Sequence, residues 1–433
     1  MIVNCFEAGH HEAALDLVEA IVVSGRRPTE VVILSLFDLI LRPHDVNKRW
    51  DMKTMFQAVQ KAQRLLFCIL ETFGVKAFDC IWPLFRAADF DVSYRRKRTR
   101  QMLQEAHNGS SDEEEPYECS LTEFDNLWHL IGLCFGRRKP DPTAASLQTA
   151  GAKRRWLMVV SVLISILEQD MRERRGNNKQ QGKCRLLMTI RKDLSGTRSQ
   201  LDTYLDIIFA PFQFPEEGED ASLRPLCVEL SGRILNMLIL LSYCENYIDA
   251  TALVEQSYRQ FSRLDADGCT ELLSMLRFPS YVSALCDMDI SNSNLQDVDE
   301  SWKHLRSTRM CFRVDKLLYF NTKTRPNAMR SLESIYRHAT VVVMRWMSFV
   351  DERSMRYETK QGGLPQRHVT GLEENVKLQI VLHGSDSAEQ WRVHIEKLMD
   401  EVILDHPGEK TNEELRDKIR KLVELNTINM TLL

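Results

Sequence analysis

Apolar residues recur at helical spacing along most of this chain, and no segment sustains the apolar–polar alternation of a strand. The clearest case is Asp51–Phe73, where Met55, Val59, Ala62, Leu65, Leu66 and Ile69 share one helical face. Turn formers are scarce, with 18 Gly and 13 Pro in 433 residues, too few for the many tight reversals of an all-β fold. The best strand candidate, Phe312–Phe320, is short. The expected fold is therefore all-α: stacked antiparallel helices, arranged as an α-solenoid or as two helical lobes.

Loop signals divide the chain into an N-terminal helical region at 1–107, an acidic loop at 108–120, a central region at 121–290 and a C-terminal region at 291–433. Helices are expected at Lys76–Ala88, Leu121–Phe135, Ala152–Arg175, Leu223–Cys244 and Ile248–Leu264. Leu201–Phe209 should stop at Ala210-Pro211, and Phe278–Glu300 reads as broken and polar. Ala328–Val350 is apolar nearly all round, which marks a helix at the centre of the fold or one covered by a partner. Residues 1–42 read as a helical hairpin broken at Ser24–Thr29. Its pattern, Ala8-Gly9, Ala13-Ala14-Leu15, Gly25 and Pro28-Thr29, resembles one tetratricopeptide or pentatricopeptide unit. Such repeats need several stacked copies, and only a faint echo follows at Tyr247–Leu253, so ordinary helix pairing is the stronger reading.

With 44% hydrophobic residues the chain has ample core material, which excludes global disorder. Its longest apolar runs, such as Trp156–Leu167, fall short of the roughly 20 residues a bilayer span needs, so no membrane contact is expected. The opening Met1–Glu7 has no basic n-region and no long apolar run, so it is not a secretory signal. It also lacks a polar lead into the first helix, as a fragment or a gene model with a lost beginning would. The 11 cysteines include no pair closer than Cys68 and Cys80, which excludes Cys-x-x-Cys sites. Cys68, Cys134, Cys227, Cys244 and Cys286 sit among apolar residues as small hydrophobes, implying a reducing compartment.

Motifs of catalysis are missing from the sequence. His10-His11-Glu12 lacks the second histidine of a zincin, since Leu15 stands four residues after His11. Asp265-Ala266-Asp267-Gly268 lacks the later ligands of a calcium loop and reads as a helix-capping turn. There is no phosphate-binding glycine loop and no nucleophile elbow. The expectation is a protein that is not an enzyme and holds no cofactor or metal.

Charge carries the remaining signal. Over Arg137–Lys192, fourteen Lys/Arg stand against four Asp/Glu, a net of +10 in a chain whose total is −4. Lys153, Arg154 and Arg155 precede the central apolar run, and Arg172, Arg174 and Arg175 follow it. Three readings are open: a solvated face around a core helix, a docking face for acidic protein segments, or a non-specific contact with duplex phosphates. A second cluster, Arg95, Arg96, Lys97, Arg98 and Arg100, is compact enough for nuclear import. Beside it, Ser110 and Ser111 precede an acidic run, the pattern of an acid-directed kinase acceptor. The combined expectation is a helical scaffold subunit of a nuclear multiprotein complex, in chromosome maintenance or chromatin, binding other subunits and weakly touching DNA. The alternatives are a helical-repeat RNA-binding protein and a helical enzyme with a dispersed site, with the cytoplasm as the other compartment.

Overall fold

The structure is a computed structural model that describes residues 2–43, 52–84, 119–124, 126–136, 151–176, 184–190, 198–213, 218–243, 247–293, 331–359, 411–431 and most of 392–400. Every regular element among them is helical and none is a strand, so the all-α class holds. The helices form two compact units, Met1–Pro211 with Pro215–Ile234, and Phe212–Phe214 with Leu235–Leu433. Phe312–Phe320, Arg95–Arg100, Ser110 and Ser111 lie outside the described residues.

The first unit is built on two apolar helices. Helix α1 (Ile2–Glu7) and α2 (His11–Val23) lead through a turn at Gly25, whose φ of 73° suits glycine, into α3 (Glu30–Leu41). Helix α3 buries Val32, Ile33, Leu36, Phe37, Leu39, Ile40 and Leu41, so it is covered almost all round. It packs against α1, against α4 (Met52–Phe73) and against α6 (Ala152–Gly176). In α6 the run Trp156–Val160 is wholly buried, and so are Val162, Leu163, Ile164, Ile166 and Leu167. A helix this apolar stays in water only at about 1.5–3 kcal/mol per large side chain, which is why it occupies the core. Helices α5 (Leu127–Cys134) and α7 (Arg185–Thr189) pack on it, the first part of α9 (Arg224–Tyr243) is tied to it through Arg233 and Glu168, and α8 (Arg198–Gln213) lies against α5 and α9. Trp128 of α5 meets Tyr204 of α8 at 4.5 Å between ring centroids, both rings fully buried.

The second unit is centred on α13 (Leu332–Thr359), which packs against α11 (Ala266–Met275), α12 (Pro279–Ser293) and α14 (Thr411–Thr431). Its Leu332, Ile335, Ala339, Val341, Val342 and Val343 are buried. The apolar run read from the sequence thus marks the centre of its unit. Helix α10 (Ala250–Phe261) packs on α12 and starts at Asp249, whose carboxylate accepts from the Thr251 and Ala252 amides.

Several sequence expectations are corrected. Leu121–Phe135 is not one helix: a 3-10 turn at Ser120–Glu123 ends at extended Phe124, and α5 restarts behind Asn126, whose side chain accepts from His129 N at 2.8 Å. The expected helix from Lys76 is a 3-10 segment, Val75–Ile81, entered from Gly74 at φ 69°. Helix α8 runs through Pro211 to Gln213, because proline's fixed φ is helical and only the amide bond to Ile207 is lost near the helix end. Phe278–Glu300 contains α12, whose buried Tyr281, Val282, Leu285, Cys286 and Met288 supply a helical face that its polar residues mask in the sequence. Cys68 is exposed rather than packed. The stretch Ala221–Ser242 is long and apolar enough to cross a bilayer, with mean hydropathy 1.4, although 67% of its apolar window is buried inside the fold.

Candidate functional site

Helix α6 carries the basic residues singled out by charge, and burial separates them into two kinds. Arg154 and Arg172 are exposed and Lys153 is half-buried. Arg155 is only 7% exposed, with Nε donating to Leu41 O at 3.4 Å, and burial pulls its pKa below the usual arginine value. Arg174 is largely covered and donates from Nε to Asp170 at 3.0 Å. The side chain of Arg175 lies outside the described residues. The six cations therefore do not form one solvent face. Two of them help hold the helix in place.

The C-terminal half of α6 is tied down by carboxylates. Asp170 also accepts from Arg185 N at 2.8 Å and from Arg185 Nη1 at 2.5 Å, and Arg185 reaches on to Asp79. Glu168 accepts from Arg233 Nε and Nη2, at 3.0 and 2.8 Å, which fixes α9 to α6. Arg172 stands 3.7 Å from Glu168. The N-terminal half is different. Arg154 lies with its guanidinium carbon 4.8 Å from the centroid of Phe56 on α4, and the first turn of α6 contains no acidic residue. Three approaches fix the direction of the pair: Phe56 with Arg154, Gln63 with the Met158 carbonyl at 3.2 Å, and Gly74 with the Glu173 carboxylate. Residue numbers climb together along both helices, so α4 and α6 run parallel.

The second unit holds a cleft of about 530 Å³ where the starts of α11, α13 and α14 meet. Asp265, Asp267, Glu333 and Glu414 line it, together with Tyr336 and Lys418. Asp265 is the N-cap of α11, accepting from Gly268 N at 2.7 Å, which bears out the capping turn read from the sequence. The Tyr336 hydroxyl donates to Asp267 at 3.3 Å, and burial followed by the Asp267 charge pushes its pKa up. Among the described residues no group of three His, Cys, Asp or Glu is placed to hold a metal ion.

Sequence reading missed the interior ion pairs. Arg337 of α13 grips Asp289 through both terminal nitrogens at 3.0 and 2.8 Å, and Arg345 donates to Asp287 at 2.7 Å and to Ser283 at 2.9 Å. Each arginine sits in an apolar helical run, a signal that could have flagged it, but its partner lies 48 or 58 residues away. No protein family, curated protein or solved structure matches this chain. The basic and acidic surfaces must therefore be read from their own chemistry.

Proposed function

We propose that this chain is a non-enzymatic helical scaffold subunit of a nuclear multiprotein complex, making weak, sequence-blind contact with DNA. The observation that carries the reading is the division of charge on α6. Cations at its C-terminal half are drawn into ties with Asp170 and Glu168, whereas Arg154 at its start stays exposed over the Phe56 ring. Arginine pairs also clamp helices together in both units, as expected of rigid bodies that present surfaces. Exposed Val23, Met188, Tyr247 and Val393 add apolar positions for contact with other subunits. Contacts to phosphates position a protein without reading bases, which suits a subunit whose specificity comes from its partners.

The test is purification of the tagged full chain from nuclear extract, with and without nuclease, followed by partner stoichiometry. A fixed set of nuclease-resistant partners in constant ratio is expected. Recovery of the chain alone, from cytoplasm only, would sink the proposal. Replacing Arg95, Arg96, Lys97 and Arg98 with Ala should shift a fluorescent fusion to the cytoplasm.

A further inference from the structure

We infer that Thr29, in the turn between α2 and α3, is a phosphoacceptor for a protein kinase that selects arginine ahead of its substrate hydroxyl. The site lies apart from α6 and does not depend on the DNA contact proposed above. Arg26 and Arg27 stand three and two residues before Thr29. Kinases of this class hold such arginines against acidic pockets, so the spacing of charge picks out the acceptor. Among the described residues no other serine or threonine has Lys or Arg at both of those places.

A kinase takes its substrate as extended chain with the acceptor in the open, and this turn offers both. Arg26, Arg27 and Thr29 are exposed, Val23 just before them is 82% exposed, and a Cβ on Gly25 would meet no described atom within 4 Å. Thr29 is extended, at φ −70° and ψ 160°, and the proline at 28 biases Arg27 to the same region. Pro28 is buried and fixes the base of the turn. The Thr29 side chain makes no capping hydrogen bond to α3, whereas the Ser24 hydroxyl in the same turn donates to Ile21 O at 2.7 Å. Arg27 donates from Nη2 to Lys76 O at 2.8 Å across exposed surface, a contact that a carboxylate of the kinase replaces. In the transfer, Thr29 Oγ1 attacks the γ-phosphorus of ATP held with magnesium by the kinase. The Oγ1–P bond forms, the bond to the β-phosphate oxygen breaks, ADP leaves, and the hydroxyl proton passes to the kinase's catalytic aspartate. The product puts a charge of about −1.5 to −2 at the N-cap of α3, two residues from Arg27, where the folded chain accommodates it.

The experiment incubates the full folded chain with ATP and the catalytic subunit of cyclic-AMP-dependent protein kinase, and locates phosphate by peptide mass spectrometry. Near-stoichiometric phosphate on Thr29 is expected; Thr29→Ala should abolish it and Thr29→Ser should keep an acceptor there. Arg26→Ala with Arg27→Ala should slow transfer to this residue about a hundredfold or more, through loss of two charge-assisted contacts. Arg26→Lys with Arg27→Lys should recover part of that rate. No phosphate on Thr29 of the wild type, or an unchanged rate in the alanine pair, would overturn the assignment. The thermal midpoint of the phosphorylated chain should equal or exceed that of the unmodified chain. A fall of several degrees would mean that only opened chain accepts phosphate, and it would overturn the site as well.

Discussion

A single guanidinium joins three pieces of the second unit. Arg337 on α13 donates from Nε to Leu264 O at 2.8 Å, from Nη2 to Phe261 O at 3.3 Å, and to both oxygens of Asp289 on α12. Burial opposes its charge, and the Asp289 carboxylate more than offsets this, holding the guanidinium above the usual arginine range. Asp289 is 3% exposed, so Asp289→Ala strands a buried cation and should cost about 3–5 kcal/mol in urea unfolding. Adding Arg337→Met should recover much of that loss; an undiminished loss would mean that the cation is not the source of the penalty. Thiols give a second check at this scale. At pH 8 Ellman's reagent should modify Cys68 rapidly, and Cys68→Ser should remove one fast-reacting thiol. Burial pushes Cys80 up to about 11 and Cys269 up to about 12, so both stay protonated and slow at that pH.

Among the elements, α11 tests how closely backbones approach. Gly268 lies in its first turns, where Ala normally improves a helix by about 1 kcal/mol. A Cβ there would stand 2.8 Å from the Phe212 carbonyl, so the sign should reverse and Gly268→Ala should lower the midpoint of thermal unfolding. A raised midpoint would show that α11 can shift. Asn126→Ala, which removes the cap of α5, should cost about 1 kcal/mol by the same measurement. Existence of the long helices was legible in the sequence because α4, α6 and α13 repeat their apolar positions over many turns. What escaped was anything fixed by distant residues. Pro211 looked like a stop, yet the helix continues where Ser231 donates to the Ile208 carbonyl beside the lost bond. The basic stretch looked like one surface because charge can be counted along a sequence. The carboxylate that takes up Arg174 also binds Arg185, fifteen residues away in the chain, and the carbonyl that takes Arg155 belongs to Leu41.

For the molecule as a whole, two compact units imply that unfolding is not a single all-or-none event. Calorimetry should resolve two transitions, with Asp289→Ala lowering one and Glu168→Ala lowering the other. One sharp transition shifted by both variants would count against separate units. Helix α9 has a further consequence, for synthesis of the chain. Its first part meets partners that precede it: Cys134 beneath Cys227, Ile208 beneath Ser231 and Glu168 beside Arg233. The later part waits. Asn236 is anchored to the Met275 carbonyl and the Arg277 amide, the latter 41 residues downstream. Until those residues leave the ribosome, these two contacts cannot form, and Met237, Leu238, Ile239 and Leu241, all buried in the finished fold, belong to a stretch as apolar as a membrane span. A chain stalled shortly after Tyr243 should therefore be taken up by chaperones or targeting factors that recognise hydrophobic nascent segments, and one released beyond Arg277 should escape them.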